Sequence, residues 1–269
     1  MQPGLQSIVS QRRLSLRLVQ DERELTAVQR LRWQVFYAER GAGALAEAPL
    51  PEHLDADVYD PLCDHLLVID EDAATGEHVV GTYRLLRESV ARRSFGFYSA
   101  GEFDLQPLAR TDASGELLEL GRSCVLPPYR TSGTISLLWR GIADYIARHE
   151  ISLMFGCASF AGTDPEAHAA ALSYLHHHHL APADQRPAVL PGHIDEGCGI
   201  ALERQPLGSY DERRALMGLP PLVKGYMRVG AKFGDGAYVD RAFNTIDVCV
   251  VMPVDLIAGR YAARFSVAA

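Results

Sequence analysis

Residues 119 to 135 read Glu119-Leu-Gly-Arg122-Ser-Cys-Val-Leu-Pro-Pro-Tyr-Arg130-Thr-Ser132-Gly133-Thr134-Ile135, which gathers a carboxylate, two guanidiniums and a loop of small residues. A strand pattern ends near Val125, Pro127 and Pro128 stop it, and a helix pattern opens at Ser132. Such a loop aims backbone N–H groups and the positive end of a helix dipole at one point, and an anion such as phosphate is the natural occupant. Arg130, Ser132, Gly133 and Thr134 are the candidates to hold it. Glu119 lies on the strand that feeds this loop, a suitable place for a carboxylate that takes a proton from a nucleophile. Its other reading is structural, as the ion-pair partner of Arg122 or Arg84.

Arg32, Arg84 and Arg122 suit bidentate binding of a substrate carboxylate or of a phosphate. They could equally knit the acidic stretch around Asp57 and Asp60 onto the core. A cationic substrate group would need an acidic partner, for which Asp57, Asp60 and Asp104 are the candidates; Asp247, on a late strand, is a further one. Other signals carry less. His65-x4-Asp70 falls on a strand pattern, and His179-x4-Asp184 contains Pro182. His176 to His179 point in different directions on a helix and cannot all converge on a metal. Asp55-x-Asp57 lacks the glycine and final glutamate of a calcium loop. Cys157 has no evident histidine partner and reads as a buried small residue. No metal site is expected.

The elements that must position these groups follow from periodicity. Leu14 to Val19 alternates as a strand. Asp21, with Glu24 three residues on, caps a helix over about 22 to 38 carrying Leu25, Val28, Leu31 and Val35 on one face. Residues 41 to 61 read as an ordered loop. His65 to Asp70 and Val79 to Leu86 form a hairpin, and residues 88 to 116 are irregular. Leu117 to Val125 is a strand, a helix follows from Ser132 to His149, and Ile151 to Cys157 is a short buried strand. A helix with Pro165 near its start comes next, then a Pro- and Gly-rich insertion at about 180 to 207. Two strands, near Val223 to Gly230 and Phe243 to Met252, precede a closing helix. This order predicts an α/β fold of three layers around a mixed sheet, in a single domain over 1 to 269.

Composition narrows the function classes. The 269 residues are 48% hydrophobic and 22% charged with a net charge of -8, which gives nucleic acid no overall reason to bind. The five cysteines, Cys63, Cys124, Cys157, Cys198 and Cys249, contain no C-x-x-C pair and suit a reducing cytoplasm. No apolar run reaches the roughly 20 residues of a membrane span, and the first residues carry no signal-peptide core.

Arg130-x-x-Gly133-x-Ile135 resembles the loop with which GNAT enzymes hold the pyrophosphate of acyl-CoA. Ile135 stands where glycine or alanine is usual, which leaves room for a single phosphopantetheine phosphate. The ordered series Arg32, Phe36, Asp57, Asp60, Arg84, Glu119 and Arg122 is similar to that of the acyl-homoserine-lactone synthases, GNAT-fold enzymes that use acyl carrier protein thioesters. A tryptophan those enzymes carry after Phe36 is missing. A resemblance along nearly the whole chain is to the L-ornithine Nα-acyltransferases. It rests on Leu31-Arg-Trp-Gln-Val-Phe-Tyr, Tyr59-Asp-Pro-Leu-Cys-Asp-His, Val80-Gly-Thr-Tyr-Arg-Leu-Leu, Phe97-Tyr-Ser-Ala-Gly-Glu-Phe-Asp104, Gly225-Tyr-Met-Arg-Val-Gly-Ala and Phe243-Asn-Thr-Ile-Asp247.

The resemblance implies a GNAT-like fold and an N-acyltransferase that moves a 3-hydroxyacyl group from acyl carrier protein to the α-amine of ornithine. It implies no tightly bound cofactor, the carrier's phosphopantetheine serving as donor arm. Expected partners are acyl carrier protein, ornithine or a similar amino acid and, transiently, a membrane surface; the expected location is cytoplasmic or peripheral to the inner membrane. Three alternatives stay open: an autoinducer synthase, an N-acyltransferase for another amino acid, and a non-enzymatic domain that binds acyl carrier protein.

Overall fold

Leu14–Leu18 places its apolar residues two apart and forms β1, the edge strand of a long mixed sheet. The computed structural model describes residues 12–43, 53–73, 78–109 and 115–255. Helix α1 (Glu22–Trp33) follows, with the Asp21 carboxylate accepting from the N–H groups of Arg23 and Glu24. Its last turns widen into a π-helix, Gln34–Glu39. The hairpin expected from sequence is present as β2 (Asp64–Asp70) and β3 (His78–Arg87), paired antiparallel.

The stretch expected to be irregular holds short α2 (Glu88–Ala91), β4 (Phe103–Asp104) and α3 (Gln106–Ala109). Then come β5 (Glu116–Val125), α4 (Ser132–His149), β6 (Ile151–Ala161) and α5 (Ala169–His179). Strand β6 outlasts its sequence estimate, because Ala158 and Phe160 continue a buried ladder against a late strand. Residues 180 to 207 contain β7 (Ala188–Val189), α6 (Pro191–Asp195) and β8 (Gly199–Ile200). The described chain ends with α7 (Glu212–Gly218), α8 (Pro221–Val229), β9 (Lys232–Phe233), β10 (Ala237–Asp240) and β11 (Thr245–Pro253).

One expectation fails here. Val223 to Gly230 is helix α8. Pro221 supplies a helical start, Gly230 closes the helix at φ 97°, and Val223 and Tyr226, three apart, are its buried residues. Its valines and tyrosine read as strand formers, but one helical stripe satisfies their burial equally well. The expected closing helix lies outside the described residues, as do parts of the 41–61 loop.

The sheet order is β1-β2-β3-β5-β6-β11-β10-β8, with β9 also beside β11. Among the described strands of this sheet, β5 and β6 are the pair that runs parallel, joined by α4. Leu118, Leu120 and Met154 pack on the helical side with Leu138 and Ile142 of α4. Leu117, Leu153, Phe155 and Val251 face the other way and meet Leu108, while Phe103, Val189 and Cys249 form a small cluster of their own. Alternation along the strands thus supplies two cores, one per face. The result is the three-layer, GNAT-like α/β arrangement expected from sequence.

Candidate active site

The parallel ladder of β5 and β6 stops at Glu119↔Phe155. Beyond it β5 stays with β3 and β6 stays with β11, so a wedge opens between them. Gly156 sits where the strands part. A Cβ there would lie 2.1 Å from the Leu120 carbonyl oxygen, and its φ of 155° is one that other residues rarely adopt. On the other strand, Gly121 to Cys124 spans one residue more than the facing Thr82 to Arg84. The resulting bulge carries Arg122 at φ 48°. A cavity of about 830 Å³ fills the wedge. Glu119, the β5 residues through Val125, Cys157 and Ser159 line it on the strands, with Trp139 and Tyr226 from α4 and α8.

Glu119 is on the cavity wall, as expected, but neither Arg84 nor Arg122 hydrogen-bonds it. The N–H groups of Tyr98 and Ser99 donate to its two oxygens at 2.8 and 2.6 Å, and the Ser99 hydroxyl donates at 2.5 Å. Burial pushes the carboxyl up in pKa, and these donors pull it back only in part. A partly shielded carboxylate with raised basicity is the kind of group that removes a proton from an amine.

The three arginines of the series are spent on one another's aspartates. Arg32, fully buried, forks onto Asp60 at 2.9 and 2.7 Å and reaches Asp55 at 2.8 Å. Arg84 binds Asp57 at 2.7 Å and Asp60 at 3.0 Å. Arg122 donates to Asp55 and Asp57, both at 3.2 Å, with its guanidinium over the rings of Tyr98 and Phe243 at 4.7 and 4.6 Å. Burial would raise the Asp60 carboxyl, but Arg32, Gln29 and Arg84 hold it far below the usual range. Three cations thus balance three carboxylates. Arg84 and Arg122 also touch the cavity, whereas Arg32 is not among its lining residues. Asp57 and Asp60 are therefore already paired rather than waiting for a substrate cation. Asp104 is also absent from the cavity wall, and its oxygen accepts from the Gln106 N–H at the start of α3.

At the loop, Thr131 caps α4 by accepting from the Thr134 N–H, and Thr134 is buried. Ser132 and Ile135 line the cavity, whereas Gly133 and Thr134 are not among its lining residues. Arg130 lines it too, forked onto Glu39 at 2.7 and 2.6 Å and donating to the Val125 carbonyl. Arg40 and Arg228 share the wall, and neither has an ion pair among the described residues. An entering anion therefore meets several guanidiniums.

Alternation on the strands also gathers groups that spacing could not place. Asp247 on β11 pairs across to Ser159 on β6, and Tyr238 of β10 pairs with Asp247, so Asp240, two residues on, shares that face. Glu102 reaches the same spot from the segment before β4. Ligand atoms of Glu102, Asp240 and Asp247 lie within 4.8 Å of one another. The Cys157 thiol donates to Glu102 at 3.2 Å and to Ser99 at 3.3 Å. Burial and the neighbouring Asp247 push Glu102 well up; burial pushes Asp247 to about 6. Glu102 and Asp240 were missed from sequence, where the only trace is a charged residue inside a run that must be buried. Burial also pushes the Cys157 thiol well up, which disfavours the thiolate. Elsewhere, His176 and His177 approach Glu203 at 3.8 and 3.7 Å, while His178 turns to Glu212.

This cluster gives the fold a measurable pH dependence. A carboxyl whose pKa is raised by folding costs nothing below the unfolded value of about 4, and costs more as pH climbs through the folded value. For Asp247 that window runs from about 4 to about 6. Asp247→Asn removes the charge. Its melting temperature relative to the parent should therefore rise between pH 4.5 and 7.5, by several degrees if about 1–3 kcal/mol is relieved. Calorimetry across that range checks it, and a pH-independent difference would contradict the isolation of this carboxylate.

Comparison with known proteins bears on the family and the fold. A family model described as Acetyltransferase (GNAT) domain matches residues 31–140. An L-ornithine N(alpha)-acyltransferase of Agrobacterium fabrum is 48% identical over 254 residues, covering 94% of this chain and 85% of the relative. One of Brucella abortus is 44% identical, covering 94% and 88%. Among solved structures, the AHL synthase LasI superposes with a TM-score of 0.50 at 15% identity, covering 95% of this chain and 96% of that one, a likeness of fold.

Proposed function

The chain belongs to the L-ornithine N(alpha)-acyltransferase family, and from that membership we propose that it transfers a 3-hydroxyacyl group from acyl carrier protein to the α-amine of ornithine. It is an N-acyltransferase of the GNAT kind. The observation that carries the finer reading is the wedge between β5 and β6, with the Glu119 carboxylate at its apex and guanidiniums along its wall.

The phosphopantetheine phosphate rests at the start of α4, near Ser132 and Gly133, with Arg130, Arg40 and Arg228 supplying charge. The arm runs down the wedge and presents the thioester carbonyl to the bulged edge of β5. There the backbone has left its β6 partner, so its N–H groups are free to bind a developing oxyanion. Glu119, directly or through a water, takes the proton from the ornithine ammonium, and the free amine attacks the carbonyl carbon. Collapse of the tetrahedral intermediate breaks the C–S bond; the attacking nitrogen gives up a second proton, the carrier thiolate leaves as the thiol with it, and Glu119 returns the first proton to solvent. A thioester is already activated, so alignment and proton removal are most of the task. No resident cofactor enters this scheme. Among the described residues no helix is long and apolar enough to cross a membrane.

Ile135 is half exposed on the cavity wall and adds bulk beside the loop, which favours one phosphate over a pyrophosphate. The expected result is a kcat/KM for 3-hydroxyacyl carrier protein roughly tenfold or more above that for the matching acyl-CoA, about 1.4 kcal/mol of extra transition-state binding. The assay uses ornithine as acceptor and mass spectrometry of the product. Equal values would overturn the carrier-protein donor, and absence of acyl-ornithine with either donor would overturn the acceptor.

A further inference from the structure

We propose that Glu102, Asp240 and Asp247 form the seat of the acceptor's side-chain ammonium, and so select a diamino acid over neutral amino acids of the same length. This rests on the reading of the wedge as the place of amine acylation. Three observations carry it. First, Asp240 and Asp247 line the same cavity as Glu119, and Glu102 completes their cluster. Second, Asp247 is 6% exposed and lines the open cavity; the Ser159 and Thr245 side chains neighbour its carboxyl, yet among the described residues its Oδ1 has no partner at hydrogen-bond geometry. Third, the charges do not balance. The nearby cation, Arg122, is committed to Asp55 and Asp57, and no salt bridge joins Glu102, Asp240 or Asp247 to a cation among the described residues.

The chemistry of the missing partner follows. Three clustered carboxyls offer only acceptors once ionised, and a primary ammonium offers three N–H donors with one positive charge. Cys157 and Ser99 link the cluster to Glu119 through successive hydrogen bonds, so the two ends of the site are separated by two side chains. That suits a short aliphatic chain bearing an amine at each end. One amine loses its proton beside Glu119; the other keeps its proton in the cluster. A neutral side chain would bring no donor to the cluster and leave its buried oxygens unpaired, which disfavours it. Burial and mutual repulsion raise the cluster carboxyls, so a bound ammonium must also drive protons out of it.

The test compares the parent with Asp247→Asn and Asp240→Asn, using 3-hydroxyacyl carrier protein and three acceptors: ornithine, lysine, and norvaline, which has ornithine's length without the terminal amine. The parent should prefer ornithine to norvaline by roughly 10²-fold or more in kcat/KM, and both variants should collapse that ratio toward one. Calorimetry of ornithine binding in two buffers of different ionisation enthalpy should show protons released by the parent and fewer by Asp247→Asn. Parallel losses on ornithine and norvaline, with the ratio intact, would overturn the proposal. So would a stoichiometric divalent metal in the parent by elemental analysis, lost in Asp247→Asn together with chelator-sensitive activity. If the parent ignores ornithine yet takes lysine, and the variants lose that preference over norvaline, ornithine is the wrong acceptor and the cluster assignment stands. If the parent shows no preference for a cationic acceptor, the cluster assignment fails.

Discussion

Glu119→Gln is expected to lower kcat by about 10²–10⁴-fold at neutral pH, the usual cost of removing a general base. An α-amine with a pKa near 8 is mostly protonated at pH 7, so attack on the thioester waits for a proton acceptor. The loss should therefore shrink as pH rises toward 9, where free amine becomes abundant, and a pH–rate profile reads this directly. Stability gives a second reading. The carboxylate accepts from Tyr98 N–H, Ser99 N–H and the Ser99 hydroxyl, all donors. A glutamine turns its NH₂ toward one of them, leaving a buried donor facing a donor at about 1–3 kcal/mol. A modest fall in melting temperature is thus built into the variant and does not argue against the base. A kcat loss that is uniform across pH would argue against it, and would make Glu119 the anchor of the 98–101 turn and nothing more.

Arg32→Ala should have the largest effect on stability, about 3–5 kcal/mol, because it leaves the three buried or half-buried carboxylates of Asp55, Asp57 and Asp60 facing only the two guanidiniums of Arg84 and Arg122. Asp55 and Asp60 are 3% and 2% exposed, and Arg32 is the residue that spans both. A drop of roughly 10 °C in melting temperature corresponds to that loss in a chain of this size. Arg32→Lys keeps a charge without the fork and should fall between the two. The pH sign is opposite to that of the Asp247 cluster. Asp60 is held below its unfolded pKa, so its contribution is present above about pH 4 and is lost as pH falls below that. Arg32→Ala should flatten that acid limb, and urea titrations at pH 3.5 and 7 measure it. A variant that retains parental stability but loses activity would move Arg32 from the scaffold to the substrate.

The chain by itself determined the order of the parts and the machinery that local chemistry can specify. Alternation placed β2, β3 and β5, the Asp21 cap placed α1, and the proline pair followed by small residues placed the start of α4 under a candidate anion. Arg32, Asp57, Asp60, Arg84, Glu119 and Arg122 were singled out through a family resemblance; the fold joins the three arginines to Asp57 and Asp60 in one ion-pair network and puts Glu119 on the cavity wall beside it. Val223 to Gly230 went wrong because a short run of valine, tyrosine and methionine fits either period. The cluster of Glu102, Asp240 and Asp247 needed the fold. Period two says which residues share a face, while strand order and register decide which faces meet, and β5, β6, β11 and β10 are brought side by side from far apart in the chain. Tertiary structure also decided which carboxylates were free. Asp57 and Asp60 carry the same charge as Asp247, but the positions of three guanidiniums pair the first two, while Asp247 keeps an oxygen without a partner among the described residues.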